Sequence, residues 1–545
     1  MKKLLKKIVC IALAAVTVLP VAACGKPKRP RSETLTITVS NLGFGTAWLD
    51  AIAKEFENAY NVSVVVTPTI IQASLLTQLE TGYQLDDLCM FAGVSAVWDT
   101  MRKGKFMEID DVWSSTVEGE SKTIAEKALP ELAEAYKFQN HYYSMPFITE
   151  MGGMAYNKTT LDKLYGAGNW TLPTTTGELN EMCADIVSKG AYPFVWSNKE
   201  NSCYWGMTAE AWTAQYDGVK AYAGAGRASY WDETKNDYVL ADTVEVAKEK
   251  ILSNKGRYYV YDVGYNYTRK KADGGSEFSH QYSTSMTFSE AQLAFAGGGY
   301  ANDKKLCVFS NNGDWLYEES QDDFVAKRQN IGFMKVPVTS ALVEKLSFYV
   351  AADGTWDKLS AEKKTKYDKV LRAIITYVDG KTETKPTEVE GFAVTDADID
   401  RVAEARGIVY IKDQAHAFIP ANSQNPELAK KFLKFFASDY AGSIYQSVTH
   451  GLSPFYYALD ENALDENNKF TTDFDRDVSA MLSGATHRVG ADSRFGFYLS
   501  RRDIEANSSE SAEQSYQWYI DTNTKTTAGG NAWVDRLINA GLKIQ

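Results

Sequence analysis

The sequence predicts an α/β fold, because strand and helix patterns alternate from the first residues of the predicted mature chain. Residues 34–39 alternate polar and apolar side chains, which indicates a strand. Trp48, Ile52 and Phe56 then recur every four residues, so one face of a helix is apolar. Residues 62–66 form a second strand pattern. A β-α-β start of this kind places both strands side by side and parallel in one sheet.

Two later segments continue the same alternation. Thr175 stands three residues before Glu178 in the pattern of a capping box, which predicts a helix that runs through Val187. Asn425 and Pro426 open another predicted helix, because proline is favoured in the first helical turn and apolar residues follow at helical spacing. The sequence contains no internal repeat, so a repeat architecture is not indicated.

The length and the net charge of the chain limit which classes of protein it can belong to. The chain has 545 residues, enough for two or more domains with sizeable cores. Its net charge of -12 makes nucleic acid an unexpected partner and suits a neutral or cationic ligand. Six cysteines without a C-x-x-C pair are sparse for a disulfide-built protein, and they indicate buried thiols instead of a metal site. We therefore expect no metal and no cofactor.

The N-terminus has the pattern of an export signal. Residues 1–7 form a basic stub, and residues 8–23 form an apolar run too short to span a bilayer. The Val-Ala-Ala-Cys sequence that ends at Cys24 resembles the lipobox of bacterial lipoproteins, whose cysteine becomes the lipid-bearing first residue. We expect a signal peptide over residues 1–23, a lipid on Cys24 and a basic tether over residues 24–33. The protein would then be anchored to the cell membrane and face the outside of the cell. In a Gram-negative cell it would face the periplasm. A secretory signal with a chance cysteine is the alternative.

Several short segments occur in an order that points to one family. Residues 85–91 (LDDLCMF) precede residues 104–111 (GKFMEIDD), and residues 143–147 (YSMPF) lead through Glu150 to the Tyr-Asn-Lys of residues 156–158. These segments resemble a strand, a G-x-L-x-P-L-D-D element and a Y-x-I-P to Y-N-K crossing. All three occur in the extracellular solute-binding proteins of ABC transporters, family 1, which are maltose-binding-protein-like.

The second half of the chain continues this resemblance. Residues 310–315 (SNNGDW) are similar to the family's N-G-x-W turn, and residues 331–337 (IGFMKVP) to its return strand. Residues 418–429 (FIPANSQNPELA) resemble the helix entry I-P-x-x-S-x-N-x-E-x-A. The resemblance implies a two-lobed periplasmic-binding-protein-like fold of type II. Each lobe would be a mostly parallel sheet flanked by helices, with the ligand cleft between the lobes.

The same resemblance implies three crossings between the lobes and therefore a discontinuous domain organisation. The regions around residues 258–300 and 340–415 are longer than the usual family path. The expected N-terminal lobe comprises residues 34–148 and 331–440, and the expected C-terminal lobe comprises residues 149–330 and 441–545.

A function also follows from the resemblance. The chain would be a monomeric binding protein without catalytic residues. It would capture a carbohydrate, in particular an oligosaccharide, and deliver it to the permease subunits of an ABC importer. A sugar site needs flat aromatic rings that stack on C–H faces, together with polar groups that direct hydrogen bonds. The 12 tryptophans and 32 tyrosines of the chain could supply the rings.

Nine residues are candidates for the ligand site. Glu150 lies four residues after a proline and six before a tyrosine, which resembles the family spacing of a ligand-binding glutamate. Trp315 and Asn312 belong to the N-G-x-W turn, which in the family presents an aromatic platform. The remaining candidates are aromatic residues of the second lobe and residues that follow first-lobe strands, where open α/β sheets bind ligands: Trp205, Trp231, Asn41, Phe44, Phe91 and Ser95.

Motifs of other chemistries are absent from the sequence, which has no G-x-S-x-G, H-E-x-x-H or P-loop pattern. Residues 396–400 carry alternating carboxylates, but Arg401 replaces the glycine that a calcium loop needs, so a helix N-terminus is the better interpretation. A secreted glycoside hydrolase stays an alternative, because Glu150 and a second carboxylate would suffice. A surface lectin without a transport role is the other alternative.

Overall fold

The computed structural model describes residues 33–92, 96–197, 204–226, 228–268, 277–412, 415–449, 453–455, 472–490 and 512–524. The predicted signal peptide, the lipid site at Cys24, the tether up to residue 32 and the candidate Ser95 lie outside these described residues. Across the described ranges, no helix combines the length and the apolar character that a membrane span requires.

The described strands are mostly short and are numbered in chain order. They are β1 Thr34–Ser40, β2 Ser63–Thr69, β3 Leu88–Ala92, β4 Lys137–Phe138, β5 His141–Tyr142, β6 Met145–Pro146, β7 Glu150–Asn157, β8 Tyr192–Phe194, β9 Ser229–Asp232, β10 Asp237–Leu240, β11 Cys307–Gly313, β12 Ile331–Met334, β13 Glu388–Val389, β14 Phe392–Ala393, β15 Ile408–Lys412, β16 Ala415–Phe418 and β17 His487–Val489.

The described helices surround these strands. They are α1 Ala47–Tyr60, α2 Gln72–Glu80, α3 Ala96–Arg102, α4 Asp110–Trp113, α5 Ile124–Lys127, α6 Pro130–Ala135, α7 Lys158–Tyr165, α8 Thr176–Ser188, α9 Trp205–Asp217, α10 Val219–Gly226, α11 Val244–Ala247, α12 Gly256–Thr268, α13 Phe288–Phe295, α14 Leu316–Ala326, α15 Ala361–Val378, α16 Asp396–Arg406, α17 Pro426–Phe436, α18 Asp439–Thr449, α19 Asp473–Ser483 and α20 Ala512–Thr524. A π-helical turn, Lys248–Leu252, continues α11.

The first sheet begins with the predicted β-α-β unit. Strands β1 and β2 pair in parallel from Thr34 opposite Ser63 to Ser40 opposite Thr69. Helix α1 buries Trp48 and its apolar neighbours against them. The complete order is β2-β1-β3-β16-β6, with β16 antiparallel to β3. The sequence prediction of this start is confirmed, because local periodicity alone determines it.

A second sheet, with the order β17-β15-β7-β11-β8, forms the other lobe, and β12 also pairs with β7. The chain passes from β6 to β7 through residues 147–149 and returns from β15 to β16 between Lys412 and Ala415. His416 lies opposite Pro146 on the first-lobe side of these passages, and Lys412 lies opposite Glu150 on the second-lobe side. The residues that flank the two passages are therefore paired with each other in both lobes, and we call residues 147–149 together with these flanking pairs the hinge.

The structure corrects two of the predicted lobe limits. Residues 331–334 were expected to return to the first lobe, but they pair with β7 in the second sheet, where Gly332 lies opposite Tyr156. Helix α18 was expected largely in the second lobe, but it packs against α1. The pattern of Ile331–Met334 identified a strand correctly, whereas its pairing partner is not encoded in the local pattern. The return to the first lobe comes after Lys412, and the last crossing comes after α18.

The long segment from about residue 338 to 405 forms an additional helical unit on the second lobe. It has its own apolar core, which includes side chains of α15 and α16 and also Tyr216 and Tyr259 from the lobe. Asp368 is buried in this unit and accepts hydrogen bonds from Thr175 Oγ1 at 3.0 Å and from Ser340 Oγ at 2.6 Å. The expanded region is therefore fixed to the start of α8.

The predicted helix starts are confirmed. The Thr175 hydroxyl accepts a hydrogen bond from the Glu178 backbone and caps α8, and Pro426 opens α17. Residues 396–400 begin α16, where Thr395 and Asp398 form a capping box. These features depend on neighbours within one helical turn, so the sequence alone could predict them.

Candidate functional site

The edge where the two lobes meet is formed by the ends of β7 and β11. Glu150 is the first residue of β7 and follows the 147–149 passage directly. Gly313 ends β11 and lies opposite Gly152 in the antiparallel ladder. Since opposite residues are neighbours in such a ladder, the start of β7 and the end of β11 are at the same edge. The predicted residues Glu150 and Trp315 are thereby brought to the same end of the second sheet.

Trp315 is held between the two lobes. Its indole covers Gly313, where any side chain would overlap the ring. From the first lobe, Gly43 approaches so closely that a Cβ atom there would lie 2.7 Å from Trp315 Cδ1. The ring of Tyr204 packs edge-on against the Trp315 indole, with ring centroids 5.3 Å apart. Trp315 is only 3 % exposed, and both lobes contribute to its burial.

Two carboxylates lie beside this tryptophan. Glu150 is 7 % exposed at the hinge. Glu319 lies one helical turn after Trp315, and its Oε1 would be 3.0 Å from a Cβ atom at Gly43. Desolvation raises the pKa of Glu319 and the charge of Glu150 adds to this, while a hydrogen bond from Gln292 opposes it. Glu319 is nevertheless exposed to solvent, and this combination is expected for a side chain on the wall of a cleft.

The electrostatic consequence is a negative local field at the junction. Two carboxylates that interact through protein disfavour a third negative charge nearby. The site therefore suits a neutral or cationic ligand and disfavours an anionic one.

The turn before Trp315 gives its two asparagines different roles. The candidate Asn312 uses Oδ1 to accept the N–H of Gly313 at 2.8 Å, so it holds the turn that positions Trp315. Its neighbour Asn311 is 3 % exposed, and neither polar atom of its amide has a hydrogen-bond partner among the described residues. Sequence reasoning missed Asn311, because the family motif aligns with the second asparagine of the pair.

In the first lobe, only one of the three described candidates is accessible. Asn41 follows β1 at the carboxyl edge of the sheet, its side chain is exposed, and its backbone N–H donates to the Thr69 carbonyl at 3.3 Å. Phe44 is buried in the main core. Phe91 is fully buried and packs edge-on against Phe418 at 5.4 Å. The expectation for Phe44 and Phe91 is corrected: a strand end predicts the right edge of the sheet, but side-chain packing turns these rings inward.

The two remaining tryptophan candidates also differ from expectation. Trp205 is 1 % exposed and stacks on Tyr267, with ring centroids 5.7 Å apart, so its ring faces are covered. Trp231 lies in the β9–β10 hairpin, where Lys220 Nζ sits 3.9 Å from the ring centroid. Neither ring is presented as an open stacking platform in this structure.

A separate group of potential metal ligands occurs on the surface of the first lobe, although the sequence indicated none. One ligand atom each from Glu108, Asp110 and His141 lies within 4.8 Å of the others. His141 Nδ1 is 2.7 Å from Asp110 Oδ2, and this hydrogen bond raises the pKa of His141. Their side chains are 38–51 % exposed. A surface hydrogen bond between His141 and Asp110, with the carboxylate of Glu108 nearby, accounts for this arrangement.

Comparison with known proteins agrees with this architecture. Residues 51–274 match a family of bacterial extracellular solute-binding proteins. The search of curated proteins found no match to this sequence. The family match supports the resemblance that the ordered sequence motifs indicated.

Several solved structures share the fold. The GacH receptor of Streptomyces glaucescens, solved unliganded and with acarbose, is 16 % identical with a TM-score of 0.55 over 90 % of this chain and 97 % of that one. RafE of Streptococcus pneumoniae is 15 % identical with a TM-score of 0.55 over 90 % and 96 %. The solute receptor AcbH is 12 % identical with a TM-score of 0.52 over 94 % and 100 %. At such identities the likeness shows the fold, and it confirms the predicted two-lobed α/β class.

Proposed function

We propose that this chain, which matches the family of bacterial extracellular solute-binding proteins over residues 51–274, is the receptor of an ABC importer that captures a carbohydrate between its lobes. The observation that carries the proposal is the position of Trp315. It lies at the junction of the lobes, contacts Gly43 of one and Gly313 of the other, and belongs to the same sheet edge as Glu150. An aromatic ring and a carboxylate are the two elements of a sugar site.

The chemistry of the ligand follows from the same residues. A sugar hydroxyl can donate to Glu150 or Glu319, and a ring face can lie against Trp315 once the lobes part. The negative field disfavours uronic acids and sugar phosphates. RafE has been solved with raffinose, GacH with acarbose, and AcbH has a preference for β-D-galactopyranose. These ligands of proteins with the same fold support a neutral or amine-bearing saccharide as the ligand here.

The binding claim can be tested by calorimetric titration of the purified chain with raffinose, acarbose and D-galactose. We expect a 1:1 complex with at least one of them, and Trp315→Ala should weaken it at least about tenfold, in line with the cost of losing a stacked aromatic contact and its buried area. Trp170→Ala is the matched control, because Trp170 packs on Tyr156 near the other end of β7. Equal losses in both variants would contradict the proposed site.

Anchorage and delivery form the second part of the proposal. A lipid on Cys24 would hold the receptor at the outer face of the membrane, and permease subunits would recognise its closed form. Cys24→Ser should release the protein from the membrane fraction into the medium. Deletion should abolish uptake of the bound saccharide, whereas a surface lectin would leave uptake normal.

The pair Glu150 and Glu319 also makes a glycosidase the second candidate function, because hydrolysis of glycosides uses two carboxylates. Incubation with the bound saccharide decides between the two functions. We expect its concentration of reducing ends to stay constant. Release of reducing ends that is lost in Glu150→Gln would establish catalysis instead.

A further inference from the structure

Several buried side chains of the second lobe have polar atoms without a hydrogen-bond partner among the described residues, and four of these side chains belong to the neighbouring elements α9, α12 and β11. They are Asn311, Trp205, Thr208 and Tyr267, and we call them the Asn311 cluster. All four are at most 3 % exposed, and both polar atoms of Asn311 are unpartnered. A buried polar group without a hydrogen-bond partner destabilises the folded state, because it loses its hydration and gains nothing in return. Several such groups in one region therefore indicate a place that is completed by another molecule.

Two other buried indoles of the same lobe do have partners. Trp196 donates to Ser279 Oγ at 2.8 Å, and Trp212 donates to the Pro337 carbonyl oxygen at 2.9 Å. Trp205 lies only seven residues before Trp212 in the same helix, and its N–H has none.

The strand geometry places Asn311 next to the lobe junction. Asn311 is two residues before Gly313, so both project from the same face of β11. Trp315 covers this face at Gly313, and Met207 of α9 covers it at Gly152, the ladder partner of Gly313. Asn311 thus lies further from the lobe junction than Gly313 and Trp315, on the face of the sheet that α9 covers.

Ring contacts bring the helix residues to the same face. The Trp205 ring stacks on Tyr267 and lies 5.1 Å from the ring of Phe194. Phe194 is 5.6 Å from Phe309, which is the residue next to Asn311 on that face of β11. Thr208 follows one helical turn after Trp205 and is equally buried. The ring contacts therefore connect Trp205 and Tyr267 to the face of β11 that carries Asn311, and Thr208 belongs to the same helix as Trp205.

We propose that the Asn311 cluster is the inner part of the ligand site and receives the terminal ring of a neutral saccharide beneath Trp315. This inference rests on the proposed function. The amide of Asn311 offers a donor and an acceptor side by side, which matches two adjacent hydroxyls of a pyranose. The cluster itself contains no charged group, so a neutral ring is its chemical complement. Met207 lies between the cluster and the junction, and its flexible thioether can move to admit the ring.

The test compares Thr208→Val and Asn311→Leu with the matched control Thr160→Val. Thr160 is also fully buried with an unpartnered hydroxyl, but it belongs to α7, which follows the far end of β7. The full purified chain is titrated calorimetrically with raffinose, acarbose and D-galactose. For the ligand that binds wild type, we expect affinity about 5- to 10-fold weaker in Thr208→Val and at least about 20-fold weaker in Asn311→Leu. Thr160→Val should bind like wild type.

Each other outcome has a distinct meaning. Unchanged affinity in Thr208→Val and Asn311→Leu, with a raised melting temperature, would overturn the inference and leave the proposed function intact. If the wild type binds none of the three saccharides, the proposed function fails and the inference fails with it. Circular dichroism establishes folding, and because valine has nearly the shape of threonine, the pair Thr208→Val and Thr160→Val decides even if Asn311→Leu does not fold.

Discussion

Gly43 and Trp315 show how a single missing side chain shapes the junction of the lobes. The backbone of Gly43 is not in the left-handed region, so alanine could adopt the same conformation. The reason for glycine is spatial, since a Cβ atom would lie 2.7 Å from Trp315 Cδ1 and 2.9 Å from Cγ. Contact between the lobes at this point depends on the absence of that one carbon.

Gly43→Ala should therefore weaken saccharide binding by about 1–3 kcal/mol, the usual cost of overpacking, because it prevents the lobes from closing on Trp315. Calorimetric titration measures the effect. In the double variant Gly43→Ala, Trp315→Ala, the alanine at position 43 should cause no loss of affinity beyond that of Trp315→Ala alone. The indole that its Cβ atom would overlap is then absent. A loss of the same size in the presence and absence of Trp315 would show that Gly43 acts in another way.

The candidate site could be predicted only in part from the sequence, and the residues explain why. Glu150 and Trp315 belong to segments that resemble family motifs, and it is this resemblance that predicts a place for them at the ligand site. Phe91 and Phe44 occupy positions after or near strand ends, but the inward or outward direction of a ring depends on neighbours far away in the sequence. The sequence did not indicate Asn311, because only the folded structure shows that its amide is buried without a hydrogen-bond partner among the described residues.

Among the elements, β16 connects the hinge with the first sheet. Its residue His416 is fully buried against Tyr136, with ring centroids 4.7 Å apart, and its Nδ1 is 3.0 Å from Ser144 Oγ. Burial disfavours the imidazolium and lowers the pKa of His416 to about 3. The unfolded chain, with a histidine pKa near 6.5, binds this proton at higher pH than the folded chain.

The stability of the first lobe should therefore fall as the pH drops below 6.5 and the unfolded state takes up the proton. At pH 5 the contribution of His416 is a loss of about 2 kcal/mol in the free energy of unfolding relative to pH 7.5. Urea unfolding of wild type and His416→Gln at both pH values measures it, because all other titrating groups are common to both proteins. Equal pH dependence in the two proteins would mean that His416 is not buried in its neutral form.

The elements also mark where sequence reasoning ends. Strands β1 and β2 and the caps of α8 and α16 depend on residues close in the chain, and they were predicted correctly. Strand β12 was recognised as a strand, yet its partner is β7, more than 170 residues earlier. Strand pairing across such a distance is decided by the packing of whole lobes, so the limits of the lobes required the structure.

At the scale of the whole molecule, the flanking pairs Pro146–His416 and Glu150–Lys412 connect the two lobes at one hinge. Rotation about this hinge would open the junction at Trp315 without breaking either sheet. Binding of a saccharide between the lobes should then favour the closed form.

Small-angle scattering should show a smaller radius of gyration when the bound saccharide is added to the wild type. Intrinsic fluorescence should change in parallel, and most of that change should disappear in Trp315→Phe, because the other tryptophans with described partners lie within single lobes. Tight binding with an unchanged radius of gyration and unchanged fluorescence would exclude a hinge-closing receptor.

The central claim is that a saccharide is held between the lobes at Trp315, and a crystal structure of the complex with the strongest of the three saccharides tests it most directly. The account predicts a sugar ring against the Trp315 indole, hydroxyls at Glu150 and contacts from both lobes. A saccharide bound to the surface of one lobe, away from Trp315, would contradict it.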